Sequence, residues 1–115
     1  MIADDARNLL LSMDHATEET PFGPDVLVYK VGGKMYATLA FDGESPRINL
    51  KCNPLRSPEL RTDFEGIVPG YHMNKRHWNT VVLDSDVPDA LVKELSKHSW
   101  DLVYRSLPRK VRAKF

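Results

Sequence analysis

The sequence predicts an α+β domain of two layers, an antiparallel sheet flanked by helices, in the order α-β-β-β(-β)-α-β-α. Three observations carry that class. Two apolar runs of period two meet at Gly32-Gly33, the pattern of a tight hairpin. Apolar residues recur at spacings of three and four near the N-terminus and again after Pro88, the pattern of amphipathic helices. The 115 residues contain no repeat, low-complexity tract or long linker, so a single domain over 1–115 is expected.

The elements follow in order. Ile2, Ala6, Leu9, Leu10 and Met13 share one helical face, and Asp4 and Asp5 sit where the helix dipole favours negative charge. This helix is expected to end near Met13. Pro21 cannot donate to a ladder, so Thr17–Phe22 reads as a short irregular edge strand. Leu27, Tyr29 and Val31 alternate with Val28 and Lys30, then Met35, Ala37, Leu39 and Phe41 alternate with Lys34, Tyr36 and Thr38. The two runs predict the strands of a tight hairpin. Asp42 to Pro46 reads as a turn. Ile48, Leu50 and Cys52 alternate with Arg47, Asn49 and Lys51, which gives a strand with one buried and one wet face.

Ser57-Pro58-Glu59 predicts a helix start with Ser57 as the cap, and Gly66 is the expected stop. Trp78 to Leu83 reads as a strand. Asp86 and Asp89 around Pro88 predict a capped helix entry. Leu91, Leu95, His98 and Leu102 carry the helical period to about Leu107, with a break expected near Ser99. The tail 109–115 has four cations and no acid, and reads either as a non-specific phosphate contact or as a frayed end.

Composition bounds the function. The chain is 42% apolar and 28% charged, with a formal net charge of zero. Residues 1–50 hold four Lys and Arg against eight Asp and Glu, and residues 51–115 hold twelve against eight. Such a dipolar chain can meet a polyanion locally but lacks the basic excess of a strong nucleic-acid binder. No segment has the apolar length to span a bilayer, so no membrane partner is expected. The N-terminus is acidic early, unlike a signal peptide. With Cys52 as the lone cysteine no internal disulfide can form, which fits a reducing, cytoplasmic setting.

Functional groups concentrate in Gly70 to Asn79, which holds two histidines, a lysine, an arginine, two asparagines and two aromatics. His72 and His77 are five apart, not the i, i+4 pair of a helical zinc site, and no paired-cysteine motif is present, so no metal or other cofactor is expected. Cys52 shares a face with Ile48 and Leu50 and reads as a core thiol, not a nucleophile. No Gly-x-Ser-x-Gly elbow occurs, and Gly32-Gly33-Lys34 lacks phosphate-loop spacing and leads into a strand. The pairs Glu18-Glu19, Asp4-Asp5 and Asp84/Asp86 read as exposed or capping acids. No enzyme is therefore expected.

Nucleic-acid binding is the leading expectation. Lys34, Lys51, Lys75 and Arg76 would neutralise phosphate, His72, His77, Asn74 and Asn79 would supply hydrogen bonds, and Tyr71 or Trp78 would stack. The competing view makes Trp78 core, the asparagines turn-builders and the cations solvated. The alternative function is a small-ligand or protein-binding module, a stress or resistance accessory, with a pocket around His72, Lys75, His77 and Trp78. Oligomeric state is not encoded in any pattern found.

Gly33-Lys34-Met35-Tyr36-Ala37, Leu50-Lys51-Cys52-Asn53-Pro54 and Val68-Pro69-Gly70-Tyr71-His72-Met73-Asn74-Lys75-Arg76-His77-Trp78-Asn79 resemble the markers of the MmcQ/YjbR family, as do Val87-Pro88-Asp89 and Ser99-Trp100-Asp101-Leu102-Val103. The resemblance covers nearly the whole chain in order; it departs at Ser12-Met13, where a Leu-Pro pair is frequent. It implies a small bacterial α+β domain of CyaY-like shape, a label of DNA-binding through a proposed double-wing surface, and no catalytic residues to carry over. Fold alone does not fix function. It places any site on Tyr71 to Asn79.

Overall fold

The computed structural model describes residues 1–41 and 45–115. The chain runs α1 (Ala3–Leu11), β1 (Thr17–Glu19), β2 (Val26–Val31), β3 (Lys34–Ala40), β4 (Arg47–Lys51), α2 (Ser57–Asp63), β5 (Ile67–Pro69), β6 (Trp78–Val82), α3 (Asp89–Ser106) and α4 (Arg109–Arg112). The strands make a six-stranded antiparallel sheet in the order β1-β2-β3-β4-β6-β5. The α+β class and the antiparallel sheet are as the sequence predicts. Strand β5 and helix α4 are additions to it, and the turn expected over 42–46 lies mainly outside the described residues.

The β2–β3 hairpin closes on Gly32 and Gly33, whose φ values of +57° and +82° are both left-handed. That is the two-residue turn whose twist matches its strands. Past the turn the register slips. Lys30 faces Met35 but Tyr29 faces Ala37, leaving Tyr36 as an extra residue in a bulge. The slip breaks the period-two alternation at Met35 and Tyr36. Met35 is carried to the open face of the sheet, and Tyr36 is fully buried on the helical side, where its hydroxyl donates to the Leu10 carbonyl at 2.7 Å. Burial raises the Tyr36 phenol above its ordinary pKa.

The cross-strand row Leu27, Leu39, Ile48, Val81 and Ile67 forms the floor of the core. Leu10 of α1 and Val92, Leu95 and Val103 of α3 join it from above. Helix α3 runs through Ser99 without the expected break. The Ser99 hydroxyl donates to the Tyr36 carbonyl at 2.6 Å and accepts the Lys51 N–H at 2.8 Å. A buried serine thus serves two strand groups at the bulge, so its polarity is used by the sheet and not against the helix.

Three expected caps are corrected. Ser57 is the first residue of α2, not its cap, and its hydroxyl donates back to the Asn53 carbonyl. Helix α2 ends at Asp63, before Gly66. Asp86 does not cap α3, which starts after Pro88 without a side-chain bond. Its carboxylate instead accepts the N–H groups of Glu65 and Gly66 at 2.9 and 2.8 Å, and these two bonds hold its pKa below the usual carboxylate value. Strand β1 stops at Glu19, short of the expected Phe22. The basic tail is docked, not frayed: α4 places Val111 against the core, and the Phe115 ring stacks on His15 at 4.2 Å.

Candidate functional site

The residues 70–77 form the loop of the β5–β6 hairpin. Pro69 faces Asn79, and the Gly70 N–H donates to the Trp78 carbonyl at 2.8 Å. Gly70 is required there, because a Cβ would stand 2.8 Å from the Trp78 Cβ. Asn74 builds the next turn. Its side-chain oxygen accepts the Arg76 N–H at 2.9 Å, and its carbonyl accepts the N–H groups of His77 and Trp78 at 3.2 and 3.0 Å. Asn74 is thus a turn-builder in this loop. Lys75 folds its ammonium back to the Gly70 carbonyl at 3.3 Å.

A residue with no sequence motif secures this loop. Arg61 of α2 donates through Nε to Asn79 Oδ1 at 2.8 Å and through Nη2 to the carbonyls of Lys75 and, at 3.3 Å, Trp78. Its planar fork serves three acceptors from two separate nitrogens in fixed geometry, where a lysine ammonium offers one compact centre. Asn79 faces the helical side and is 3% exposed. Its amide nitrogen donates to Ser57 Oγ at 3.2 Å. The expected hydrogen bonds from Asn79 to an outside partner are therefore replaced by internal ones.

The opposite, open face of the sheet carries the more promising geometry. Cross-strand register aligns Thr38, Asn49 and Thr80 in one row, and Ala40 and Arg47 in the next. Tyr71, His72 and Met73 lean over these rows, with Phe22 from the β1–β2 connection. Together with Val26 and Met35 they enclose a cavity of about 580 Å³. That volume lies within the range of small-ligand sites, roughly 300–1,000 Å³. The row is hydrogen-bonded along its length: Tyr71 N–H donates to Thr80 Oγ1 at 2.9 Å, Thr80 to Asn49 Oδ1 at 2.5 Å, and Asn49 Nδ2 to Thr38 Oγ1 at 3.0 Å. The Arg47 guanidinium lies 5.8 Å from the Tyr71 ring centroid, within cation–π reach.

His72 holds φ of +57° beside this cavity, and its ring packs at 4.0 Å from that of Tyr71. A left-handed backbone at a histidine is uncommon and costs on the order of 1 kcal/mol. Tyr71 itself is 57% exposed.

The ten predicted residues are thus divided. Tyr71 and His72 line the cavity. Lys51 and Trp78 are cross-strand partners on the same open face, toward the hairpin end of the sheet. Lys75, Arg76 and Asn74 are exposed on the loop, and His77 is half-buried with its carbonyl accepting the Cys52 N–H at 2.8 Å. Lys34 begins β3 at the Gly-Gly turn, remote in register from the Asn49 row. The pocket expected around His72, Lys75, His77 and Trp78 keeps only His72 of that set. Sequence reasoning missed Phe22, Met35, Thr38, Arg47, Asn49 and Arg61. One signal was available: the wet positions Arg47, Asn49 and Lys51 alternate with buried Ile48 and Leu50.

Among the described residues no group of three or more His, Cys, Asp or Glu side chains converges to hold a metal ion, and no helix is long and apolar enough to cross a membrane.

The chain has known likenesses. The family model described as YjbR matches residues 11–102. The uncharacterized protein YbdF of Escherichia coli O157:H7 is 36% identical over 105 residues, covering 91% of this chain and 86% of that protein. The uncharacterized protein YyaQ of Bacillus subtilis (strain 168) is 37% identical over 93 residues, covering 79% and 73%. The crystal structure of Deinococcus radiodurans protein DR2400, domain DUF419, superposes with a TM-score of 0.89 at 38% identity, covering 96% of this chain and 85% of that one. A crystal structure of a Pseudomonas syringae protein gives 0.80 at 27% identity, covering 90% and 99%.

Proposed function

We propose that this chain, which belongs to the YjbR family, is a non-enzymatic binding domain that takes a small ligand on the open face of its sheet, beneath Tyr71, His72 and Met73. The observation that supports this reading is the cavity itself. It is concave, about 580 Å³, and mixes apolar walls (Phe22, Val26, Met35, Met73) with a short polar row on its floor. A reducing, cytoplasmic compartment goes with the reading, on the single unpaired thiol.

The test is an amide-shift titration of the protein with a chemically diverse fragment set. Fragments that bind here move the resonances of Thr38, Asn49 and Tyr71 to Met73 together. Tyr71→Ala, at an exposed position, then weakens them without unfolding the domain. If no fragment moves those amides, the cavity is only a gap under a loop.

DNA binding is the second reading, kept for one observation. Lys51 and Trp78 stand side by side on the open face, with Lys75 and Arg76 exposed on the adjoining loop. Phosphate contacts weaken steeply with salt. A duplex and single-strand titration at several salt concentrations decides the matter: Lys75→Ala with Arg76→Ala must flatten the slope, and no binding at low salt removes the idea.

A further inference from the structure

We infer that the open-face cavity selects its ligand by hydrogen-bond polarity: it takes a compact, largely apolar molecule that presents an acceptor oxygen, a carbonyl or carboxylate, to Thr38 and Asn49. This rests on the small-ligand reading above and narrows it to a chemical class.

The argument starts from a group that can act in one way only. The Tyr71 backbone N–H is a donor, and it points at Thr80 Oγ1 from 2.9 Å. The next contact, Thr80 Oγ1 to Asn49 Oδ1, is 2.5 Å. That length suits O–H···O and is too short for N–H···O, so the Asn49 oxygen faces Thr80 and the hydroxyl hydrogen lies between them. The Asn49 amide nitrogen is then turned to Thr38, and the 3.0 Å separation there is the ordinary N–H···O length. Each link fixes the next. The chain of donation runs from the loop backbone through Thr80 and Asn49 to Thr38.

It ends in donors. Thr38 Oγ1 has accepted from Asn49, so its own O–H is directed onward, and the Asn49 amide has a second N–H. Among the described residues neither hydrogen has a protein acceptor. Both side chains line the cavity, and Thr38 is 6% exposed. A ligand acceptor placed there completes two hydrogen bonds. A ligand that brings only donors can use no more than the remaining Thr38 lone pair and leaves the hydrogens of Thr38 and Asn49 unpaired, which is how polar sites reject close analogues. The flanking Val26, Met35, Ala40 and Met73 call for an apolar body, and the exposed Phe22 and Tyr71 rings for a flat one.

The test uses three probes of one shape: naphthoate, acetylnaphthalene and naphthylmethylammonium. The neutral ketone separates hydrogen-bond polarity from attraction to the nearby Arg47 charge. Amide-shift titration is expected to give both acceptor probes at least ~10-fold tighter binding than the ammonium, the size of one to two hydrogen bonds. Thr38→Val removes the terminal O–H at similar shape and weakens both acceptor probes about tenfold, leaving the ammonium unchanged. Asn49→Asp keeps the acceptor for Thr80 and deletes both N–H donors; it carries the test should Thr38→Val not fold. If the ammonium binds as tightly as the acceptor probes, or the variants leave the ranking intact, the polarity inference is overturned while the cavity stands as a ligand site. If neither these probes nor any of the diverse fragments moves the Thr38, Asn49 and Tyr71 amides, the site reading falls and this inference with it.

Discussion

Replacing Arg61 by methionine tests whether the dense loop owes its shape to a residue outside it. Methionine keeps most of the stem and deletes the guanidinium. Three hydrogen bonds go with it, to Asn79 Oδ1, the Lys75 carbonyl and the Trp78 carbonyl. Bonds from a charged donor contribute roughly 1.5–3 kcal/mol each, but these share one fork and partly face solvent, so they do not add in full. The Lys75 carbonyl end can turn to water, whereas Asn79 is 3% exposed and its oxygen is left without this donor. The sum is a loss of about 2–4 kcal/mol, or on the order of 10 °C in Tm for a domain of this size. Arg61→Lys keeps the charge but not the fork, and is expected to recover half or less. Denaturant melts give the global change. Native-state hydrogen exchange gives the local one: the His77 and Trp78 amides, bonded to the Asn74 carbonyl, should speed up more than amides of β3 and β4. A global change under ~0.5 kcal/mol with loop exchange unaltered refutes the reasoning, because surface substitutions away from any such network fall in that range.

Other expectations follow from single contacts. Gly32→Ala must fit a Cβ 2.6 Å from Leu107 Cδ1 at φ +57°, whereas Gly33→Ala meets open space at φ +82°. Denaturation should show the first losing about 1–3 kcal/mol more than the second; equal losses would mean the Leu107 side chain moves aside freely. His98 Nε2 accepts the Asn53 N–H at 3.2 Å, and burial, then the Arg56 charge, lowers its pKa against the opposing pull of Glu94 and Asp101. A folded pKa below the unfolded one gives stability that is present above pH ~6.5 and is lost as pH falls through the folded value. His98→Gln should flatten stability across that window, and an NMR titration placing His98 at or above the free imidazole value would contradict it. Glu18 and Glu94, both lowered first by their Arg7 and Arg56 hydrogen bonds, add a further loss at and below the ordinary glutamate range. Cys52, 3% exposed in the core cluster, should alkylate only as fast as the protein opens. Rapid labelling of the folded protein would place it at the surface.

Much of the architecture was legible because it depends on local periodicity. The glycine pair, the Arg47 to Lys51 alternation and the long apolar period after Pro88 each specify an element within one window. What was not legible depends on partners far along the chain. Nothing local announces the bulge at Tyr36, since a one-residue slip needs a reason outside the strand. That reason lies with α1 and α3: Leu10 accepts the phenol, and Ser99 satisfies the displaced carbonyl. Arg61 is equally silent, because a lone arginine on a seven-residue helix reads as solvated and its acceptors lie 14 to 18 residues away. The expected caps failed for a related cause: Asp86 is claimed by the Glu65 and Gly66 amides, which sit twenty or so residues upstream.

The bulge and the loop are joined through the cavity. Were the alternation of Leu39 and Ala37 carried back toward the turn without the bulge, Met35 would lie on the core side and Tyr36 would stand on the open face. The slip exchanges them, and the exchange removes a bulky phenol from the face that Tyr71, His72 and Met73 cover. It also brings Tyr36 to the helices, where its hydroxyl and carbonyl both find partners. On the other side of the same sheet, β6 divides the dense motif by strand parity. Trp78 and Thr80 take the open face, and Asn79 between them takes the helical one. Arg61 pins Asn79 from the helical side, while Thr80 accepts the loop's Tyr71 N–H on the open side. The loop is therefore gripped through two successive residues of one strand, Asn79 and Thr80, from opposite faces of the sheet. A motif rich in functional groups need not be a site throughout: here Asn79, at its strand end, helps to hold the loop in place over the cavity.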